Sequence, residues 1–400
     1  MFKPNGNFNE LGENYLFAEI ARRVARYKSD NPASADHIIS LGIGDVTLPL
    51  CRAVTDAMHG AVDEMSRNDS FRGYGPEQGY QFLRSRIAEC DYQGHIADDE
   101  IFISDGAKSD LGNLTDLFGP GNSIAVCDPV YPVYVDSNIM CGNGADIIYM
   151  PCEESDGFLP RVPQSDVDVI YLCYPNNPVG VSMTRERMRE FVDYAIRHKA
   201  LIIYDSAYEA FVQTPGAVRS VYDIDGAHEC AIEVRSFSKR AGFTGVRCGY
   251  TVVPHELVYN GMSLNNMWRR RQTTKFNGVS YIVQRAAEAV YTPEGEAQTQ
   301  ADIAVYRANA DLMRRRLCEA GYTVYGGVDA PYVWVRTPHG IPSWQMFDIL
   351  LTQCNVVVTP GSGFGNAGEG YVRLTSFNTP ELTAEAVTRL CDFAGRHHDI

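Results

Sequence analysis

Residues 230–253 read CAIEVRSFSKRAGFTGVRCGYTVV, and the reading of the whole chain starts from this stretch. A short β-rich run, Cys230–Val234, leads into Ser236-Phe-Ser-Lys239. Eight residues on stands Arg247, closing Gly242-Phe-Thr-Gly-Val-Arg, and a second β-rich run, Gly249–Val253, follows. A lysine just past a strand end can reach a ligand held at the carboxyl edge of a sheet. Two serine hydroxyls and a guanidinium beside it suit a phosphate. Lysine and hydroxyls alone would read as a surface turn. With the arginine at this spacing, the pattern points to a phosphate-bearing cofactor.

Working outward, the same layout repeats. The β-rich runs Ile101–Ser104, Ser123–Cys127, Asp146–Met150, Asp168–Cys173 and Ala200–Tyr204 alternate with helical stretches such as Thr184–His198, for which Thr184 is a plausible N-cap. Strands alternating with helices predict a largely parallel sheet with crossover connections. Each run ends in a loop with chemistry in it. Ser104-Asp-Gly106-Ala107-Lys108 puts a glycine at a helix start, where backbone N–H groups and the helix dipole favour an anion; alone it reads equally as a plain turn. Asp128-Pro-Val-Tyr131-Pro offers an aromatic ring to stack on a planar ligand. Tyr174-Pro-Asn-Asn177-Pro-Val-Gly180 is a stiff loop able to aim the Asn177 amide. Tyr204-Asp205-Ser-Ala-Tyr208 offers an acid for a protonated ring nitrogen and a phenol for a ring oxygen, although Asp205 alone would more readily be a helix cap.

The flanks read differently. Asn5–Asn14 is polar and glycine-bearing, an N-terminal arm, and Leu16, Ile20, Val24 and Tyr27 then follow helical spacing. After about residue 295 a long helical stretch, Glu296–Ala320, precedes short strands Thr323–Tyr325, Tyr332–Arg336, Val356–Thr359 and Tyr371–Thr375, with helices at 343–353 and 381–395. We therefore expect an α/β chain in three parts: residues 1–45 as the arm and part of a small domain, 46–295 as a large domain with a mostly parallel sheet, and 296–400 as a smaller α+β domain.

Composition narrows the function. The 400 residues carry a net charge of −15, which disfavours a nucleic-acid partner. The one dense basic run, Arg269-Arg270-Arg271, reads as a solvated helix face. No apolar run is long enough to span a membrane, and MFKPNGNFNE lacks a secretory layout, so neither membrane nor export is expected. Eleven cysteines without a C-x-x-C pair read as reduced cytoplasmic thiols. No metal site is expected, His397-His398 being read as an exposed end. Gly363-Phe-Gly365-Asn-Ala-Gly368 matches G-x-G-x-x-G, but a strand follows it where a dinucleotide fingerprint opens a helix.

Taken in order, Tyr74-x4-Gly79, Gly106-Ala-Lys, Asp128-Pro-Val-Tyr-Pro, Pro175-Asn-Asn-Pro-Val-Gly, Asp205-Ser-Ala-Tyr and Ser236-x-Ser-Lys-x7-Arg resemble the fold-type I (aspartate aminotransferase-like) pyridoxal 5′-phosphate-dependent transferases over nearly the whole chain. Tyr15-Leu-Phe, Leu41-Gly-Ile-Gly-Asp-Val-Thr, Gly73-Tyr-Gly-Pro-Glu-Gln-Gly, Ala241-Gly-Phe-Thr-Gly-Val-Arg, Phe276-Asn-Gly, Ala330-Pro-Tyr-Val-Trp-Val and Thr359-Pro-Gly-Ser-Gly-Phe-Gly are similar, more narrowly, to the LL-diaminopimelate aminotransferase family. Two positions depart from the usual pattern: Val179, where the superfamily often has Thr, and Arg240, where the family often has Tyr.

The resemblance implies roles. Lys239 is the lysine that bonds the cofactor, Asp205 partners its ring nitrogen, and Asn177 and Tyr208 face its ring oxygen. Tyr131 stacks on the ring, while Ala107, Lys108, Ser236, Ser238 and Arg247 hold the phosphate. Tyr74 and Asn277 come from a second subunit, making a homodimer with shared sites. Arg373 takes the substrate α-carboxylate, with Tyr15, Gly42, Lys108, Tyr131, Asn177 and Asn277 nearby, and Glu77 reads a distal ammonium. The implied reaction is reversible amino transfer between glutamate/2-oxoglutarate and tetrahydrodipicolinate/LL-2,6-diaminopimelate, in lysine and cell-wall precursor synthesis. The competing readings are an aspartate or aromatic aminotransferase, or a lyase of the same fold and cofactor. A cofactor-sensing regulator would need a DNA-binding domain, for which the chain has neither length nor charge.

Overall fold

The computed structural model describes residues 2–12 and 15–396. The His397-His398 pair and the last residue of the expected arm, Asn14, lie outside the described residues. In chain order, helix α1 (Leu16–Asp30) and the short strand β1 (Ile39–Ser40) precede helices α2 (Arg52–Met65) and α3 (Gln81–Tyr92). Then come β2 (Ile101–Ser104), α4 (Ala107–Leu114), β3 (Ile124–Asp128), α5 (Val133–Cys141), β4 (Ile147–Pro151), β5 (Val169–Cys173), α6 (Arg185–His198), β6 (Leu201–Asp205), β7 (Ala231–Ser236), the one-turn helix α7 (Phe237–Arg240) and β8 (Gly249–Val252). A small hairpin, β9 (Val258–Tyr259) and β10 (Met262–Ser263), leads to α8 (Leu264–Lys275), α9 (Tyr281–Ala289) and the long α10 (Pro293–Glu319). The remainder is β11 (Val324–Gly326), β12 (Tyr332–Arg336), α11 (Ser343–Cys354), β13 (Val356–Val357), β14 (Thr359–Pro360), β15 (Tyr371–Thr375) and α12 (Pro380–Arg396).

Seven strands form the main sheet in the order β2-β8-β7-β6-β5-β3-β4. All its pairings are parallel except the two made by β8, which runs against β7 and β2. Strands β3, β5 and β6 are buried at every residue, which is why they read as unbroken apolar runs rather than alternating ones. Helices cover both faces, as crossover connections require. Most strands begin or end a residue or two from their expected bounds. The clearest case is β7, which continues to Ser236 because β8 pairs with it down to Ser236–Gly249.

The helix bounds follow from their caps. Thr184 accepts the Arg187 N–H and starts α6. Helix α10 begins three residues earlier than its periodicity suggests, at Pro293, because the Thr292 hydroxyl accepts the Gly295 N–H and proline suits the first helical position.

A second sheet, β11-β12-β15-β14, is antiparallel throughout. The single strand expected at Val356–Thr359 divides in two: β13 pairs with β1 and β14 pairs with β15. The N-terminal residues thus join the C-terminal ones, and Tyr27 of α1 donates to Asn355 at 3.1 Å. The basic run on α8 departs from expectation. Arg269 donates to Gln78 and to the Asp99 carbonyl, and Arg271 pairs with Asp116, so Arg270 alone is exposed. Gly363 and Gly368 lie in two 3-10 turns that Gly365 joins, and β15 follows with no α-helix opened by them. All eleven cysteines are unbridged. Among the described residues no helix is long and apolar enough to cross a membrane, and no group of side chains could hold a metal ion.

Candidate active site

Because β2, β3, β5, β6 and β7 run parallel, their carboxyl ends lie along one edge of the sheet, and the loops after them converge. Arg247 joins them from the opposite direction, since it lies just ahead of the reversed strand β8. Together they line a cavity of about 560 Å³ that Arg373 and Tyr332 of the second sheet complete.

Lys239 stands on α7, the single turn that follows β7. Its Nζ donates to the Gly44 carbonyl at 2.6 Å. Burial is the main cause that pulls the amine from its usual 10.5 to about 8; Asp45 opposes the shift, and Arg247 and Arg373 add to it. The amine therefore gives up its proton at a pH far closer to neutrality than a surface lysine does, which suits a nucleophile or base.

Asp205 ends β6 and is 5 % exposed. Its Oδ2 accepts the Tyr134 hydroxyl at 2.6 Å, while Oδ1 is buried with no hydrogen-bond partner. Burial raises this carboxyl from 3.8 to about 6, against the Tyr134 bond and a backbone N–H that favour its charge. A buried carboxylate oxygen left unpaired is costly, and a protonated ring nitrogen would satisfy it.

The anion cradle is built from glycine and arginine. Gly106, at φ 128°, precedes α4, and a Cβ there would sit 2.3 Å from Arg247 Nη2. Only glycine lets the guanidinium lie over that helix start. Arg247 Nη1 donates to Ser238 Oγ at 3.2 Å, and Ser236 Oγ accepts the Ser238 N–H at 3.0 Å. The helix N-terminus, two hydroxyls and a guanidinium fit a phosphate.

Arg373, on β15, is 1 % exposed with no carboxylate partner among the described residues. Nη1 donates to Asn177 Oδ1 at 2.6 Å and Nη2 to the Gly42 carbonyl at 2.7 Å, while Nε is unpaired. Because a guanidinium only donates, Asn177 must turn its oxygen to Arg373, which leaves the amide NH2 for a ligand. The Tyr208 and Tyr332 hydroxyls lie 2.8 Å apart, and the Arg373 guanidinium stacks 4.3 Å over the Tyr332 ring. Tyr131 faces the same cavity, its phenol pushed up by burial and by the neighbouring Tyr15.

The cavity thus gathers Lys239, Asp205, Tyr208, Asn177, Tyr131, Ala107, Lys108, Ser236, Ser238, Arg247 and Arg373. Tyr15 and Gly42 sit at its margin. The Lys108 ammonium lies 5.3 Å over the Tyr15 ring, and Gly42 reaches the site through its carbonyl. Tyr74, Glu77 and Asn277 do not line the cavity of their own chain. The segments bearing Glu77 and Asn277 meet elsewhere, a Cβ at Gly278 meeting the Pro76 carbonyl at 2.9 Å and the Glu77 Cα at 3.6 Å, and Tyr74, three residues before Glu77, is 93 % exposed. Four contributors escaped the sequence reading. Tyr134 stands three residues past Tyr131, one helical turn on, and that spacing was its only signal. Gly44 and Asp45 fall in the Leu41-Gly-Ile-Gly-Asp-Val-Thr stretch and Tyr332 in Ala330-Pro-Tyr-Val-Trp-Val; both stretches carried the resemblance, but these residues were given no role.

Residues 36–393 match the family described as aminotransferase class I and II. The chain belongs to that family: it is a pyridoxal 5′-phosphate-dependent aminotransferase of the aspartate aminotransferase-like fold. It is 52 % identical over 405 residues to an LL-diaminopimelate aminotransferase of Methanosphaera stadtmanae, covering 97 % of this chain and 98 % of that one. It is also 52 % identical over 403 residues to an LL-diaminopimelate aminotransferase of Lachnospira eligens, with 98 % and 99 % covered. Among solved structures, the L,L-diaminopimelate aminotransferase of Chlamydomonas reinhardtii superposes with a TM-score of 0.94 at 44 % identity, covering 98 % of this chain and 99 % of that one.

Proposed function

We propose that the chain catalyses reversible amino transfer between LL-2,6-diaminopimelate and 2-oxoglutarate, with tetrahydrodipicolinate and glutamate as the other pair. The geometric observation that carries it is Arg373, a buried cation in the lysine's own cavity that lacks an anion, as an amino-acid carboxylate site must. Full-length identity to relatives named for this substrate supports the choice over aspartate, aromatic or lyase chemistry.

The cofactor supplies an electron sink for the pair left on the substrate Cα. Its holders are Lys239 for the aldehyde carbon, Asp205 Oδ1 for the ring nitrogen, Asn177 and Tyr208 for the ring oxygen, Tyr131 for the ring face, and Gly106–Lys108, Ser236, Ser238 and Arg247 for the phosphate. Arg373 clamps the substrate carboxylate and so directs the Cα–H bond. The Lys239 amine would take the proton from the substrate Cα; its lowered basicity keeps enough of it neutral to accept.

The proposed assembly is a cytoplasmic homodimer. Tyr74, Glu77 and Asn277, grouped away from their own cavity, serve the partner's, Tyr74 and Asn277 at cofactor and substrate and Glu77 at the distal ammonium. The unbridged thiols suit a reducing compartment. The test is a panel of single amino acids mixed with the purified enzyme, following cofactor absorbance. LL-diaminopimelate and glutamate should convert it with release of the matching keto acids. Conversion by aspartate or aromatic acids in preference, or release of an eliminated fragment, overturns the reading.

A further inference from the structure

Arg240 follows the active-site lysine directly, yet it does not line the cavity. Successive residues on a helix point about 100° apart, so a one-turn helix with Lys239 facing the ligand turns Arg240 into the protein. There Arg240 Nη1 donates to both oxygens of Asp91, at 2.7 and 2.9 Å. Both side chains are shielded, at 18 % and 7 % exposure. Asp91 Oδ2 also accepts the hydroxyls of Tyr250 at 2.7 Å and Tyr291 at 2.6 Å. The Arg240 guanidinium stacks 4.6 Å over the Tyr291 ring.

Four separate pieces of the fold meet at this point. Asp91 closes α3, Tyr250 lies on β8, Tyr291 follows α9, and Arg240 belongs to the turn that carries the lysine. The turn itself is four residues long, with few backbone hydrogen bonds of its own, so its orientation depends on what its side chains grip. Phe237, packed with Phe243 and Tyr250, is one grip, the Arg247–Ser238 bond on the cavity side is a second, and the Asp91–Arg240 pair on the protein side is a third. A buried pair resists rotation because either partner left alone is an uncompensated charge. The same turn bears Lys239, whose amine must reach both the cofactor and the substrate Cα–H.

We infer that Asp91 and Arg240, braced by Tyr250 and Tyr291, form a positioning pair that holds the lysine turn in register so that Lys239 faces the reacting atoms. This rests on Lys239 being the catalytic lysine, which borohydride labelling of the unaltered enzyme tests separately. The pair touches neither cofactor nor substrate; it acts through the turn. A misaligned amine slows proton transfer without weakening the carboxylate clamp at Arg373, which lies on a different sheet.

The experiment is the glutamate half-reaction in holoenzyme carrying Arg240→Met, Arg240→Lys or Tyr291→Phe, with ordinary and α-deuterated glutamate. The rate at saturating glutamate should fall about tenfold or more in Arg240→Met, with the glutamate Kd changed by less than about threefold. The deuterium effect should rise, because proton transfer becomes the slow step. In the apoenzyme, the rate at which Lys239 is trapped by pyridoxal 5′-phosphate and borohydride should fall in parallel. Arg240→Lys, which keeps the cation, should recover most of both rates. Saturated rates and deuterium effects equal to those of the unaltered enzyme, with only the melting temperature lowered, overturn the proposal and leave the pair structural. If Arg240→Met does not fold, Tyr291→Phe, which removes one donor from Asp91, decides: a slowed step with a raised deuterium effect supports the proposal, and unchanged values refute it.

Discussion

Arg373 and Asn177 are joined at 2.6 Å although 196 residues separate them. One belongs to the antiparallel sheet, the other to the loop after β5 of the main sheet, so the bond ties the two sheets together over the cavity. It also sets which end of the Asn177 amide faces the ligand. In the proposed reaction, substrate clamping and cofactor contact would share this one hydrogen bond.

The first prediction concerns that clamp. Arg373→Lys keeps the charge and loses the two-pronged donor. Losing a charge-assisted bond of about 1.5–3 kcal/mol should lower kcat/KM for glutamate by roughly ten- to over a hundredfold. Cofactor absorbance should persist. Separate measurement of cofactor content and half-reaction rates checks both.

Lys239 gives a pH prediction. With its amine held at about 8, acetylation of apoenzyme Lys239 should rise with a midpoint near that pH. Exposed lysines should follow with midpoints near 10.4 or so. Peptide mapping after timed acetylation reads the curve. A Lys239 midpoint at the surface value would mean that burial does not set its basicity.

Asp205 gives a stability prediction. Its folded value of about 6 lies above the 3.8 of an unfolded aspartate. The folded apoprotein thus holds this proton more tightly, so the contribution is fully present below about pH 4 and is lost as pH rises through about 6. Asp205→Asn removes that loss. The stability of the variant relative to the parent should climb between those limits, by an amount on the order of 3 kcal/mol. Urea melts of both apoproteins from pH 4 to pH 7 measure it. Phosphate-free buffers keep the cradle out of the comparison.

The shared-site arrangement gives the last two. Mixing Tyr74→Phe chains with Lys239→Ala chains should restore activity, because one site in each mixed dimer is then whole. No recovery in dimers that have verifiably exchanged subunits would count against it.

Glu77→Gln should cost LL-diaminopimelate far more than glutamate, which has no distal ammonium. The selective loss expected is roughly ten- to over a hundredfold in kcat/KM. Equal losses on both substrates would make Glu77 a structural residue.

The strands of the main sheet, the loops after them and the chemistry of those loops were legible in the sequence. Apolar runs of five residues, flanked by turn residues, state their own burial, and a lysine or acid just past such a run has only one edge of a parallel sheet to stand on. The family's motifs supplied the roles. What the sequence could not hold were meetings between distant segments: Tyr134 with Asp205, Arg373 with Asn177, and Lys239 with Gly44. Nor could it hold the orphaned Asp205 Oδ1, which exists only because burial removes water from one oxygen while Tyr134 satisfies the other. Arg240 looked like a harmless departure from pattern until packing brought Asp91 to it. Glu77 looked like one site residue among others until the fold placed it outside its own chain's cavity. Periodicity and spacing report on neighbours along the chain. Burial, and the polar contacts it makes obligatory, depend on which strands and helices lie side by side, and that is settled by the tertiary structure alone.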